Sequence, residues 1–204
     1  MCGRYALHSS PGVVALQFGL ERVPQFAPRY NIAPTAQVLI VKPEGAALAR
    51  WGFKGQMHNA RAETLSLKLS FRDAYRRRRC LVPANGFYEW KREGALKQPY
   101  YVHPAHTELF AFAGLWEIWQ DIETCTVITT EANLAMRSIH DRMPVIVAPE
   151  HYAGWLYGED GLLRPAAESA IGCYPVSPAV NRAANESPAL IAPLGSEIQK
   201  GIFD

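Results

Sequence analysis

Apolar residues in this chain fall in short runs punctuated by Pro and Gly, the pattern of a mostly antiparallel protein. The runs predict strands over 38–41, 47–53, 80–82, 87–91, 100–103, 110–118, 124–130, 145–148 and 173–176. Helical periodicity is sparser. Over 65–79, Leu65, Leu69 and Tyr75 share one side, and basic residues fill the last turn, where the helix dipole favours them. A short helix is expected over 132–139. Another, over 149–157, opens on Pro149 and turns Tyr152, Trp155 and Leu156 toward a core. The last thirty residues, rich in Pro, Ala and Asn, read as coil laid over the surface. With no repeat, low-complexity tract or Gly/Ser linker, the expectation is a single α+β domain over 1–204. Its core would be a barrel-like, mainly antiparallel sheet with a few short helices.

Composition changes this picture little. At 204 residues, 49% hydrophobic and 20% charged, the chain is long enough to bury a core without staples. A net charge of +2 does not by itself name a polyanionic partner. Local charge matters more: Arg76-Arg77-Arg78-Arg79 is a basic run, read first as a solvated helix end and second as a binding patch. Cys2, Cys80, Cys125 and Cys173 form no CxxC pair and no metal-ligand spacing with His, so no metal or organic cofactor is expected. Cys80, Cys125 and Cys173 lie in apolar segments and are expected to be inert core residues. No stretch fits a signal peptide or a membrane span, and Gly stands at position 3 rather than 2, which excludes N-myristoylation. The expectation is a reduced, cytoplasmic setting with no membrane partner.

Candidate chemistry is concentrated in four segments. If the initiator Met is removed, the chain begins with Cys2 and carries a 1,2-aminothiol. The amine, with an ordinary pKa of about 7.7–8.0, is substantially unprotonated near neutrality, and a thiol near about 8.5 is partly thiolate. Such a pair condenses with an aldehyde to a Schiff base that the sulfur closes to a thiazolidine. The plain alternative is a small buried side chain at a chain start. Arg4 stands close enough to hold an anion beside Cys2. In the second segment, His58 to Thr64, an extended backbone would put Asn59, Arg61 and Glu63 on one face. That arrangement fits a phosphate-binding Arg61 held by a carboxylate next to an orienting amide. A polar loop with Thr64 as helix N-cap is the competing account. In the third, Gly86 to Lys91, Glu89 lies opposite Tyr88 and Trp90; desolvation by aromatics would raise its pKa and suit it to acid–base work, unless it lies on a solvated face. In the fourth, Ser138 to Pro144, His140 sits at the entrance to an apolar strand with Arg142 two residues on. A surface loop histidine is the plain reading there.

Taken together and in order, Cys2-Gly3-Arg4-Tyr5, Arg29-Tyr30-Asn31-Ile32-Ala33-Pro34, Trp51-Gly52, Asn59-Ala60-Arg61-Ala62-Glu63-Thr64, Arg79-Cys80-Leu81-Val82-Pro83, Gly86-Phe87-Tyr88-Glu89-Trp90 and His140-Asp141-Arg142-Met143-Pro144 resemble the SOS response-associated peptidase (SRAP) domain family over residues 2 to about 180. The resemblance implies an α+β fold with a barrel-like sheet and a positively charged groove for single-stranded DNA. It implies capture of abasic sites by a thiazolidine crosslink to Cys2, with Asn59, Glu89 and His140 around it. Asn59 would orient the aldehyde or sugar, Glu89 would move protons, and His140 would assist the imine steps and reversal. Arg4, Arg61 and Arg142 would hold the flanking phosphates, and Thr130 would offer a hydroxyl contact. The implied partner is single-stranded DNA containing abasic sites, bound by a monomer in the cytoplasm and at the nucleoid.

One segment departs from the family pattern. Relatives carry a longer stretch after the Trp-Gly pair, with further Trp and Pro that pack on nucleobases. Here the stretch from Trp51 to Asn59 is short and has no second Trp, which leaves Phe53 or Met57 in that place, or a weaker hold on that side. Two other functions fit the same residues: a thiol peptidase that processes its own amino terminus, using Cys2 with His140 or Glu89 as base, and a non-covalent single-strand binding module.

Overall fold

The computed structural model describes residues 2–195. Along the chain run β1 (Tyr5–Leu7), α1 (Pro11–Phe18), β2 (Arg29–Ile32), β3 (Gln37–Lys42), β4 (Gly45–Trp51), β5 (Asn59–Arg61), α2 (Leu69–Arg77), β6 (Arg79–Ala84), β7 (Gly86–Glu93), β8 (Leu96–Pro104), β9 (Phe110–Trp119), β10 (Ile122–Glu131), α3 (Leu134–Arg137), β11 (Arg142–Pro144), α4 (Tyr152–Leu156) and β12 (Ile171–Pro175). Five strands close into a barrel in the order β4-β3-β6-β9-β10. The closing contact is parallel, pairing Thr124 with Arg50 and Cys125 with Trp51. Beyond it, β5 takes the place of β4 beside β10, with Val127 opposite Asn59 and Thr129 opposite Arg61. The second sheet, β12-β8-β7-β1-β2, is antiparallel throughout.

Strand alternation explains the layers. Cys80, Val82, Phe110, Phe112, Cys125 and Val127 point into one cluster with Tyr5, Phe87 and Trp51, which joins the barrel interior to the inner face of the second sheet. Tyr5 meets Trp51 edge-on at 5.2 Å and Phe112 at 6.1 Å. The intervening residues Leu81, Ala111, Ala113 and Leu115 point the other way, under Phe71 and Ala74 of α2 and Trp155 of α4. On the outer face of the second sheet, Ala6, Tyr88 and Tyr101 are covered by Val176, Val180 and Leu190. The stretch expected as surface coil therefore carries two 3₁₀ turns, Pro178–Asn181 and Pro188–Ile191, and buries Val180, Ala189 and Leu190 against that sheet. Residues 196–204 of that stretch lie outside the described residues.

Several local expectations are corrected. The helix expected over 65–79 starts at Leu69, because residues 62–64 form a 3₁₀ turn and Lys68 holds an extended backbone. Thr64 caps nothing, and Leu69 is 76% exposed while Leu65 is buried. In place of the strand expected over 145–148, β11 ends at Pro144; Val145 bonds Ala113 and Ile128, and Val147 bonds Ala111. α1 was absent from the pattern reading, although Ser10 accepts the Val13 N–H, Pro11 opens the first turn and Gly19 ends the helix at φ 62°. Cys173 is exposed on the edge strand β12, unlike buried Cys80 and Cys125.

Candidate functional site

Cys2 lies just ahead of β1 and is fully buried. The antiparallel ladder Tyr5↔Phe87 and Ala6↔Gly86 continues as a 2.9 Å bond from the Tyr88 N–H to the Arg4 carbonyl, which brings the start of the chain alongside Glu89. From the other side β5, fixed in parallel to β10, delivers Asn59, whose Nδ2 donates to the Cys2 carbonyl at 2.7 Å. Asn59 Oδ1 is buried and accepts no hydrogen bond among the described residues.

Glu89 is 2% exposed and shares the inner face of β7 with Phe87, while Tyr88 and Trp90 face the other cluster. Burial pushes its carboxyl above the ordinary value of 4.5, opposed in part by His140. Burial also raises the Cys2 thiol, and the nearby Glu89 charge raises it further. Burial thus works against the partly ionised thiol expected from the sequence, because a thiolate has no solvent here. His140 follows α3, whose Asn133 caps the helix by accepting the Met136 N–H at 3.0 Å. Its Nδ1 accepts the Arg142 N–H at 2.9 Å, which in the neutral ring puts the proton on Nε2. Asp141 Oδ1 at 3.0 Å and the Arg142 carbonyl at 3.2 Å lie beside the same nitrogen. Glu89 and His140 both line a pocket of about 480 Å³, together with Trp90, Arg92, Lys97 and Asn181.

The arginines divide. Arg4 Nη1 donates to Asn31 Oδ1 at 2.7 Å and to the Val180 carbonyl at 2.8 Å, so it ties β2 to the segment over the second sheet. Arg142 forms a two-pronged pair with Glu63 at 2.7 and 3.1 Å and donates to the Thr129 carbonyl at 2.7 Å. Glu63 thus holds Arg142 rather than Arg61, because the chain leaves the extended form at Ala62. Arg61 is exposed at the end of β5 and has no ion pair among the described residues. Thr130 is buried in the β10–β11 ladder opposite Met143. Within the basic run only Arg76 and Arg77 are solvated; Arg79 is buried between Tyr75 and Trp155, with its guanidinium 4.3 and 4.6 Å from their ring centres. Among the described residues no group of three His, Cys, Asp or Glu could hold a metal ion, and no helix is long and apolar enough to cross a membrane.

The family described as SOS response associated peptidase (SRAP) matches residues 1–183. The chain belongs to the SRAP family. It is 39% identical to the abasic site processing protein YoqW of Bacillus subtilis, over 94% of this chain and 99% of that one. It is 29% identical to the abasic site processing protein YedK of Escherichia coli, over 95% of this chain and all of that one. A crystal structure of a Bacteroides thetaiotaomicron protein superposes with a TM-score of 0.86 at 24% identity, covering 94% of this chain and 99% of that one, which shows the shared fold.

Within this SRAP chain the short stretch after Trp51 folds as a tight loop closed by a Phe53–Met57 bridge. Phe53 is fully buried against Phe71 at 5.5 Å, so it is not available to stack on a base, and Met57 packs on the same cluster. The sequence reading also missed Arg92, Lys97 and Asn181. The first two were within reach: a hairpin turn at Gly94 pairs Arg92 with Lys97 once the strands expected over 87–91 and 100–103 are run toward each other.

Proposed function

We propose that the protein processes abasic sites in single-stranded DNA by forming a covalent crosslink through Cys2, once Met1 has been removed. It acts as a monomer in the cytoplasm, at the nucleoid. The reading rests on one observation: the backbone of Cys2 is pinned by Asn59 beside a buried Glu89, whose carboxyl burial raises and which lines a pocket together with His140. Similarity to relatives named abasic site processing proteins supports it.

The chemistry follows from these groups. The Cys2 amine adds to the ring-opened sugar aldehyde, and Glu89, protonated more readily than an ordinary carboxyl, gives a proton to the departing hydroxyl. Water leaves, the nitrogen gives its proton back to the Glu89 carboxylate, and an imine forms. The Cys2 sulfur then adds to the imine carbon, and the thiol proton ends on the ring nitrogen, relayed by Glu89 or His140. The net change is the loss of one water. Asn59 Oδ1 offers an acceptor to the carbinolamine hydroxyl or N–H. Arg61, already exposed, holds a flanking phosphate, joined by Arg4 and Arg142 when they exchange their present partners for DNA.

The test is incubation of the mature protein with a single-stranded oligonucleotide carrying one abasic site, read by denaturing gel and intact mass. A species of the summed mass less one water, absent with Cys2→Ala, is expected. No adduct, or an adduct that persists in Cys2→Ala, overturns the proposal.

A further inference from the structure

The β7–β8 hairpin sets Arg92 directly opposite Lys97. Residues so opposed have Cβ atoms only about 4.5–5.5 Å apart, and like charges there repel. Neighbouring charges have found partners: Lys91 Nζ meets Glu93 at 2.7 Å, and Arg142 holds Glu63. Arg92 and Lys97 have no ion pair among the described residues. Both are exposed, and both line the pocket that contains Glu89 and His140. Asn181 completes that wall. Its Oδ1 accepts the Trp90 Nε1–H at 2.7 Å, which leaves the amide Nδ2 as a donor. Two unneutralised cations and an amide donor on one pocket wall make a site for an anion, whose binding would relieve the repulsion between them.

We propose that Arg92 and Lys97, with the Asn181 amide, form a phosphodiester-binding subsite for the DNA strand next to the captured sugar; this rests on the abasic-site reading above. Phosphate rather than carboxylate fits because the occupant is a polyanion that must enter the same pocket as the reacting sugar. The subsite lies on the second sheet, at the wall of the pocket that Glu89 and His140 also line, whereas Arg61 and Arg142 stand on β5 and β11 of the first sheet.

The test compares the double variant Arg92→Gln/Lys97→Gln with Arg76→Gln/Arg77→Gln, which removes the same charge from the exposed last turn of α2. Single-stranded DNA binding is followed by fluorescence anisotropy across a salt series, and crosslinking by gel. Each lost phosphate contact on a single strand lowers the log–log salt slope by about 0.7, so the hairpin variant is expected to lose about 1.4. At about 0.1 M salt that is roughly fivefold weaker binding for each cation. The loss should fall in the half-saturating DNA concentration rather than in the crosslinking rate at saturation, and the hairpin variant should melt at or above the wild-type temperature. The α2 variant should change neither slope nor affinity. Equal effects in both double variants, or none in the hairpin variant, overturn the subsite. A wild-type protein that binds DNA but forms no Cys2 adduct overturns the proposed function instead, while anisotropy still reads the subsite.

Discussion

Asn59→Ala removes the side chain that fixes the Cys2 carbonyl at 2.7 Å. Cys2 is fully buried, so water does not readily replace the lost donor. A hydrogen bond of this kind is worth about 0.5–1.5 kcal/mol net, and a buried carbonyl left without a donor costs about 1–3 kcal/mol. An unfolding free energy lower by about 1–2 kcal/mol is expected, set against a usual total of about 5–15 kcal/mol, so the variant remains folded. The kinetic cost is larger, because a misplacement of about 1 Å at a reacting centre lowers a rate by up to roughly 100-fold. Single-turnover crosslinking at saturating abasic DNA should slow by about 10- to 100-fold on that basis. Asn59→Asp keeps the size but turns an acceptor toward the carbonyl and adds negative charge near Glu89, so it should be slower still. Quenched time courses on denaturing gels, with urea unfolding curves in parallel, give both quantities. An Asn59→Ala protein that is destabilised yet crosslinks at the wild-type rate would refute the positioning role, as would an Asn59→Asp protein faster than Asn59→Ala.

Three further outcomes follow from the site. Because burial raises the Glu89 carboxyl, folding favours its protonated form; the stability it contributes is present at low pH and is lost as pH rises from 4.5 through the folded value. Glu89→Gln should therefore be the more stable protein at neutral pH, and the pH–rate profile should lose the limb that titrates above the ordinary carboxylate range; a profile identical to wild type counts against acid–base work by Glu89. Glu63 is half exposed, so its pair with Arg142 is worth less than about 1 kcal/mol, and its carboxyl, held below the usual range, gives up that contribution only as pH falls through the lowered value. Glu63→Gln should barely change stability but should tighten single-stranded DNA binding at low salt by releasing Arg142; weaker binding would place Glu63 on the DNA-holding side. Iodoacetamide on the folded protein near neutral pH should label Cys173 well ahead of Cys2, Cys80 and Cys125, as peptide mass mapping can read; fast labelling of Cys2 would contradict its burial.

The sequence made the barrel strands legible because their interiors alternate cleanly: Cys80 and Val82 against Leu81, and Phe110 and Phe112 against Ala111 and Ala113. It also made Glu89 legible, since period two on β7 separates it from Tyr88 and Trp90. Partner choice was not legible. Glu63 sits two residues from Arg61 yet pairs with Arg142, because a 3₁₀ turn breaks the period at Ala62. Arg4 looked like a bare cation beside Cys2, but its partners are Asn31 and the Val180 carbonyl, remote in the chain. Three-residue strands such as β1 and β11 have too few positions for any period to show, although β1 sets the register of the site.

Asn31 gathers three carbonyls through one amide, those of Val180, Arg182 and Asn185, and accepts from Arg4 on its other side. The residues that lock Arg4 are therefore made long after it, since Val180 stands 176 positions downstream. During synthesis Cys2 and Arg4 are made well before the wall that seats Arg4, and the pocket's Asn181 arrives with that wall. The setting of Cys2 is tied in this way to synthesis of the segment from Val180 to Asn185: a truncated product ending before Val180 would carry Cys2 and Arg4 but not the frame that seats them.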